Sequence, residues 1–153
     1  MSKLQEYEIN TDTLALINEN DKTKVYESNN SFYVYKNANK IMEESCQYFG
    51  SSLNGRQKGT FNLIGVSHKC PVIVEETKEI IFFPTTSPRL KNCCWISLNN
   101  ILRYYRLKDR VIIEFKNKEK IELPLSYGSI DNQVLRATRL ESVLRGRKNT
   151  KKL

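Results

Sequence analysis

A β-hairpin in the last third of the chain constrains the fold more than any other feature. The runs Val111–Phe115 and Ile121–Leu123 are rich in apolar and β-branched residues, and the polar segment Lys116–Lys120 separates them. Two such runs joined by a short polar turn are typical of antiparallel strands. Because an isolated hairpin is at best marginally stable in water, the pattern predicts a larger antiparallel sheet around it.

Several earlier segments carry the same signature of short strands. Pro71 and Pro84 bound two apolar runs that the charged turn Glu75–Glu79 separates, as expected for paired, buried strands. The segments predicted as strands are Tyr7–Asn10, Thr13–Ile17, Lys24–Glu27 and Phe32–Tyr35 on either side of Asn29-Asn30, Val72–Val74 and Ile80–Phe83. The first hundred residues are therefore expected to be mainly β-structure.

One segment between these strands follows a helical pattern instead. Residues 39–49 contain few β-branched side chains, and their apolar positions fall at roughly helical spacing: Ile41, Met42, Cys46 and Phe49. Gly50 is a candidate C-cap, because glycine readily adopts the left-handed conformation that ends many helices. The pattern predicts a helix of about ten residues.

A second helical pattern begins at Ser129, which is a candidate N-cap with Asp131 in the first turn. Gly146 is predicted to end this helix. Its apolar stripe repeats at helical spacing in Val134, Ala137, Leu140 and Leu144. The predicted fold is therefore α+β, a single domain of largely antiparallel β-sheet with a central helix and a basic C-terminal helix.

A length of 153 residues favours one domain, with predicted boundaries of 1–145 for the domain and 146–153 for a short basic tail. The tail has no apolar stretch and is expected to be disordered by itself. No leader peptide or membrane-spanning run is recognisable, and a chain of this size needs no disulfides for stability. We therefore expect a cytoplasmic protein whose four cysteines are reduced and buried as small hydrophobes.

Basic charge is concentrated toward the C-terminus. The net charge of +8 divides into −3 for residues 1–50, +3 for residues 51–100 and +8 for residues 101–153. Such an excess favours an acidic partner, with nucleic acid first and an anionic membrane surface second. A solvated basic face is the alternative, so charge alone does not decide the partner.

Enzyme and metal signatures are incomplete. The glycine spacing of Gly50–Gly55 resembles a P-loop, but Arg56 and Gln57 stand where that motif needs a lysine and a hydroxyl. His68 is the single histidine, and together with Cys70 it lacks the spacing of a zinc site. No acidic residue lies in a recognisable acid–base motif. We expect no enzyme, no cofactor and no metal.

Two segments offer ligands to a phosphate backbone. The glycines of Gly50–Gly59 let a backbone approach a polyanion closely, with a plain structural loop as the alternative. The helix from Ser129 carries arginines on a flank away from its apolar stripe, and Asn132-Gln133 offers amides to base edges; a solvated face or a dimer-packing helix is the alternative. The candidate DNA ligands are Arg56, Lys58, Lys69, Arg136, Arg139, Arg145 and Arg147.

A third segment, Arg103–Arg106, suggests a different substrate. If it is extended, each of its faces carries one arginine and one tyrosine. Exposed Tyr104 and Tyr105 would stack on splayed bases, as in a single-strand or RNA binder. Two tyrosines at the rim of a sheet are the alternative.

Five short motifs follow one another in a fixed order along most of the chain. The longest is Tyr48–Thr60, with Cys46 before it, and the others are Ser67–Lys69, Phe83–Thr85, Trp95–Ser97 and Leu123–Tyr127. In this order they resemble the ComK competence transcription factors of Gram-positive bacteria. The resemblance runs from about Tyr7 to Leu144.

This resemblance implies a function and a set of partners. Members of the family activate DNA-uptake genes and recognise paired A/T-rich boxes in double-stranded DNA, largely through the minor groove, as homodimers that assemble into higher oligomers. A proteolytic adaptor is a further implied partner, through a C-terminal region longer than the one found here. The alternative is a shortened paralogue that modulates a full-length activator through mixed oligomers.

Overall fold

A seven-stranded sheet forms the first part of the computed structural model, which describes residues 3–151. Its strands in chain order are β1 (Lys3–Leu4), β2 (Thr13–Glu19), β3 (Lys22–Glu27), β4 (Ser31–Val34), β5 (Val72–Glu75), β6 (Ile80–Pro84) and β7 (Trp95–Ser97). Their order across the sheet is β1-β4-β3-β2-β7-β6-β5. All neighbours are antiparallel except β1 and β4, which run parallel.

A three-stranded antiparallel sheet follows, built from β8 (Ile101–Leu107), β9 (Arg110–Phe115) and β10 (Lys120–Leu123) in the order β10-β9-β8. The predicted hairpin is β9 and β10, with Ile113 opposite Ile121. The predicted strands at Thr13–Ile17, around Asn29-Asn30 and on both sides of Glu75–Glu79 are likewise confirmed. The α+β prediction is correct.

The helices are α1 (Ala38–Tyr48), α2 (Leu53–Ile64) and α3 (Tyr127–Lys151). The predicted central helix is α1, whose N-cap Asn37 accepts a hydrogen bond from the backbone N–H of Asn39. Within residues 3–151, no helix combines the length and the apolarity that a membrane span requires.

The large sheet separates two hydrophobic cores, because alternate residues of a strand point to opposite faces. On one face Phe82 and Trp95 pack with α1 residues such as Ile41. On the other face Phe83 and Ile96 belong to a core that also includes the small sheet and the apolar stripe of α3. This layering holds α3 against the large sheet and fixes which of its flanks faces outward.

The prediction of a strand at Tyr7–Asn10 is wrong, since this segment has no regular structure. Side-chain hydroxyls take the place of the interstrand backbone hydrogen bonds that a strand would form. The N–H of Ile9 donates to Ser45 Oγ at 3.0 Å, and that of Asn10 donates to Thr13 Oγ1 at 3.0 Å. Hydroxyl partners of this kind compete with strand pairing for the backbone groups.

The prediction of a glycine loop at Gly50–Gly59 is also wrong. Most of that segment is helix α2, and Ser52 caps it by accepting a hydrogen bond from the N–H of Gly55. Two internal glycines cost about 1 kcal/mol each relative to alanine, so tertiary packing must offset them. Thr60 is buried and its hydroxyl donates to the carbonyl of Pro71 at 2.6 Å. Gly65, with φ 74°, ends the helix.

Helix α3 is longer at both ends than predicted. It begins at Tyr127 rather than after Ser129, because Ser126 Oγ accepts from the N–H of Ser129 and takes the capping role. It continues through Gly146, so the predicted end at that glycine is wrong. Contacts between Lys148 and the turn before β6 hold the extra turns. The last tail residues, 152–153, lie outside the described part of the chain, and the boundary at 145 stays a prediction.

Candidate nucleic-acid interface

A groove of about 850 Å³ runs along α2. Helix α2 forms one wall with Asn54, Gln57, Lys58, Phe61 and Asn62. Two loops form the other wall, residues 67–70 after α2 and residues 87–89 between β6 and β7. We call this feature the basic groove, defined by Lys58, Lys69 and Arg89, because the fold brings these three cations to it from three separate segments.

Buried hydrogen bonds from α3 fix the loop that carries Lys69. Gln133 is fully buried, and its Nε2 donates to the carbonyl of Lys69 at 3.0 Å and to that of Pro84 at 2.8 Å. Arg136 donates to the carbonyl of His68 at 3.1 Å. Lys69 itself has φ 51°, so its backbone turns sharply and needs such support. The position of the basic groove therefore depends on α3.

The cations of the basic groove lack an acidic partner in the part of the chain that the structure describes. Among residues 3–151, no carboxylate lies within ion-pair distance of Lys58, Lys69 or Arg89. The reason is already in the sequence, where the stretches 45–74 and 80–108 contain no Asp or Glu. Unpaired cations along a concave surface focus a positive potential that attracts polyanions. The groove is therefore suited to a phosphate backbone.

Another predicted DNA ligand, Arg145, is engaged in ion pairs. Arg145 donates to Glu79 at 2.8 Å and lies 3.6 Å from Glu141, while Lys148 lies 3.5 Å from Glu79. We call this arrangement the C-terminal clamp, defined by Arg145, Lys148 and Glu79. Partial burial alone would raise the pKa of Glu79, but Arg145 and Lys148 hold it below its usual value. Any phosphate that reached the clamp would have to displace a carboxylate.

Arg56 is in a similar position at the start of α2. Its side chain is 18% exposed and lies 3.4 Å from Glu76. Because a nearby carboxylate neutralises it and most of its surface is covered, it is less available to a phosphate than the exposed Lys58 two residues later. Arg56 thus joins α2 to the same turn that the C-terminal clamp holds.

The remaining predicted ligands lie on α3 outside the clamp. Arg139 and Arg147 are exposed, and Arg136 is half-buried against His68 and Gln133. Residues three and eleven positions apart share one flank of a helix, so these three arginines form a row. The row passes the basic groove at Arg136, which touches the groove loop through His68.

Sequence reasoning missed Arg89 and misread Gln133. Arg89 occupies a loop with no motif, and only the pairing of β6 with β7 brings that loop to α2. Gln133 was predicted to offer its amide to base edges together with Asn132, but its amide is buried and used by two protein carbonyls. The available signal for Arg89 was its position in residues 80–108, a stretch that contains no Asp or Glu, like the stretch 45–74 that forms the facing wall.

The cysteine prediction is confirmed. All four are free and buried. Burial raises the pKa of Cys46 to about 12 and that of Cys93 to about 11, so neither is a reactive thiolate. Cys70 lines the basic groove, where burial raises its pKa against the opposing influence of Arg136. In the described part of the chain, no three His, Cys, Asp or Glu side chains group as metal ligands.

The segment Arg103–Arg106 is extended and forms part of β8. Tyr104, however, donates its hydroxyl to Asp131 at 2.6 Å, and its ring lies 5.5 Å from that of Tyr127. Burial and the carboxylate of Asp131 raise the pKa of Tyr104. This tyrosine anchors the start of α3 and does not present its ring to a base.

Comparison with known proteins agrees with the resemblance that the motifs indicate. The profile of the family described as ComK protein matches residues 4–149. A curated relative, the Competence transcription factor of Bacillus subtilis (strain 168), is 35% identical over 149 residues, which cover 94% of this chain and 78% of that protein. No solved structure matches. The chain is of the transcription-factor class, and it belongs to the ComK family.

Proposed function

We propose that this protein is a DNA-binding transcription activator of competence genes and that the basic groove is its DNA-binding face. The observation that carries the proposal is the set of three unpaired cations, Lys58, Lys69 and Arg89, on a surface whose two walls contain no acidic residue. Lysines and arginines in such a setting bind phosphates, while the amides of Asn54, Gln57 and Asn62 offer hydrogen bonds to sugars or base edges.

The arginine row on α3 extends this face. Arg136, Arg139 and Arg147 follow one flank of the helix and continue the positive surface beyond the groove. In this proposal Arg56 and Arg145 hold the turn at Glu76–Glu79 and do not contact phosphate. The revised set of DNA ligands is therefore Lys58, Lys69, Arg89, Arg136, Arg139 and Arg147.

The finer parts of the proposal concern the target and the assembly. We infer A/T-rich boxes read largely through the minor groove, because arginines enter a narrow A-tract groove with its strong negative potential. Paired boxes one or more helical turns apart match a two-fold homodimer, and two dimers side by side form a higher oligomer. A cytoplasmic location and a proteolytic adaptor as a further partner complete the proposal.

Equilibrium binding across a salt series tests this function. The purified protein is titrated onto a duplex with two A/T boxes and onto a G·C-rich duplex of equal length. We expect tighter binding to the A/T boxes and a steep salt dependence on both, since phosphate contacts release counterions. Equal and weak binding to both duplexes would refute autonomous recognition and favour the shortened-paralogue alternative.

A further inference from the structure

Phe61 is a large aromatic side chain that folding does not use. Its side chain is 54% exposed and belongs to neither hydrophobic core. Helix α2 uses only its carbonyl, which accepts the N–H of the C-cap Gly65. Single exposed apolar residues are common on proteins, so exposure by itself assigns no role.

The surroundings of Phe61 are what distinguish it. The ring lines the basic groove three residues after Lys58 and seven after Asn54, which places all three on one face of α2. Asn62 lines the same groove beside it. An aromatic ring among unpaired cations and amides fits a partner with an anionic backbone at its surface and flat apolar rings in its interior. Nucleic acid has both properties.

A protein partner fits this surface less well. The walls of the groove carry no acidic residue, so a partner protein would have to supply all the negative charge, and Phe61 is the one exposed large hydrophobic side chain among the described lining residues to anchor it. A duplex supplies phosphates at regular spacing on either side of stacked bases.

The inference rests on the proposed DNA-binding function and deepens it. We propose that Phe61 enters the groove of a bound duplex as an apolar wedge, contacts base edges and partly unstacks one base step, while Lys58, Lys69 and Arg89 hold the flanking phosphates. Pyrimidine–purine steps such as TA are easier to unstack than others. The wedge is therefore a specificity determinant that favours A/T-rich sites containing such steps.

The test uses a duplex with two A/T boxes in which the fluorescent adenine analogue 2-aminopurine replaces each adenine in turn. This analogue is quenched by stacking, so unstacking of its step raises its fluorescence. Three variants are compared with the wild type at saturating protein. Phe61→Ala removes the wedge, Phe61→Leu keeps an apolar wedge, and Leu107→Ala removes a comparably exposed apolar side chain on β8, away from the groove.

We expect the wild type, Phe61→Leu and Leu107→Ala to raise the fluorescence at the same few positions. Phe61→Ala should bind with about tenfold lower affinity, as for loss of one base–aromatic contact, and give no rise at saturation. Its salt slope should equal that of the wild type, because no charge is lost. Alanine is a better helix former than phenylalanine and the site is exposed, so the variant should fold.

Two results would overturn the wedge while leaving the DNA-binding function intact. One is wild-type affinity of Phe61→Ala for the duplex, and the other is a fluorescence rise that persists in Phe61→Ala at saturation. Absence of duplex binding by the wild type would instead overturn the proposed function, and the wedge with it.

Discussion

The basic groove and the C-terminal clamp contain the same kinds of residue and do different things with them. Both present lysines and arginines, and both contain DNA ligands predicted from sequence: Lys58 and Lys69 in the groove, and Arg145 in the clamp. In the clamp, Arg145 and Lys148 meet Glu79. In the groove, Lys58, Lys69 and Arg89 meet no carboxylate in residues 3–151. The difference lies in the neighbouring sequence, because the turn at Glu75–Glu79 supplies acids to one region and nothing supplies them to the other.

This comparison shows why net charge is a poor guide to a binding face. A cation that already has a carboxylate partner must lose that partner before it binds a phosphate, whereas an unpaired cation exchanges only water and counterions. In the proposed function the clamp therefore contributes to stability and the groove to affinity. Each prediction below tests that division.

Removing the groove cations should have the largest effect. The variant combines Lys58→Gln, Lys69→Gln and Arg89→Gln. Each lost phosphate contact should lower the salt slope by about 0.9 and weaken binding roughly eightfold at 0.1 M salt. The three losses together should weaken binding about 500-fold. Fluorescence anisotropy on the boxed duplex measures both quantities. Binding within tenfold of the wild type would contradict the assignment of the groove.

Gln133 fixes the loop that carries Lys69, and its loss should be the next largest effect. Gln133→Ala leaves the carbonyls of Lys69 and Pro84 without their buried donor, so we expect about 2 kcal/mol of lost stability. Urea unfolding measures this change. Affinity should fall as well, since the loop that carries Lys69 loosens. The neighbouring exposed residue gives the control, and Asn132→Ala should change neither quantity.

A single groove cation should give a smaller, clearly measurable change. Arg89→Ala is expected to weaken duplex binding roughly eightfold at 0.1 M salt. Lys91→Ala removes the same charge two residues later, from a small depression near Asp21 instead of the groove. If both variants lose affinity equally, the effect is one of net charge and not of the groove.

The clamp should respond to pH in a small, local way. Because the native pKa of Glu79 is lowered, the ion pair stabilises the protein fully above the ordinary glutamate pKa and ceases to do so as the pH falls through the native value. The protection of the α3 amides after Glu141, measured as exchange relative to the intrinsic rate at each pH, should therefore fall toward low pH in the wild type.

Glu79→Gln is the control for this pH effect. Its α3 amides should exchange faster than those of the wild type at neutral pH, and the difference should vanish at the acidic end of the series. A difference in exchange rate that persists below the native pKa of Glu79 would show that the charge of Glu79 is not what stabilises the clamp.

Most of the predicted strands are present, Tyr7–Asn10 being the exception, because short apolar runs, prolines and charged turns mark strand positions locally. Helix α2 was not predictable, because the cost of Gly55 and Gly59 is offset by the burial of Thr60 against Pro71, which lies beyond the helix. The extra turns of α3 were missed for a similar reason, since Lys148 contacts a turn some seventy residues earlier.

The candidate site divides in the same way. Residue type alone predicted Lys58 and Lys69 as phosphate ligands, and both lie in the groove. Arg89 required the strand order, because the pairing of β6 with β7 decides where its loop lies. Arg56 and Arg145 required their partners Glu76 and Glu79, which no local pattern connects to them.

The most direct test of the account compares two double variants of equal composition. One carries Lys69→Gln and Arg89→Gln in the groove, and the other carries Lys148→Gln and Arg145→Gln in the clamp, so each loses one lysine and one arginine. The measurement is the salt slope of binding to the boxed duplex. We predict that the groove variant loses about 1.8 from the slope and that the clamp variant keeps the wild-type value. Equal losses in both would contradict the division between groove and clamp.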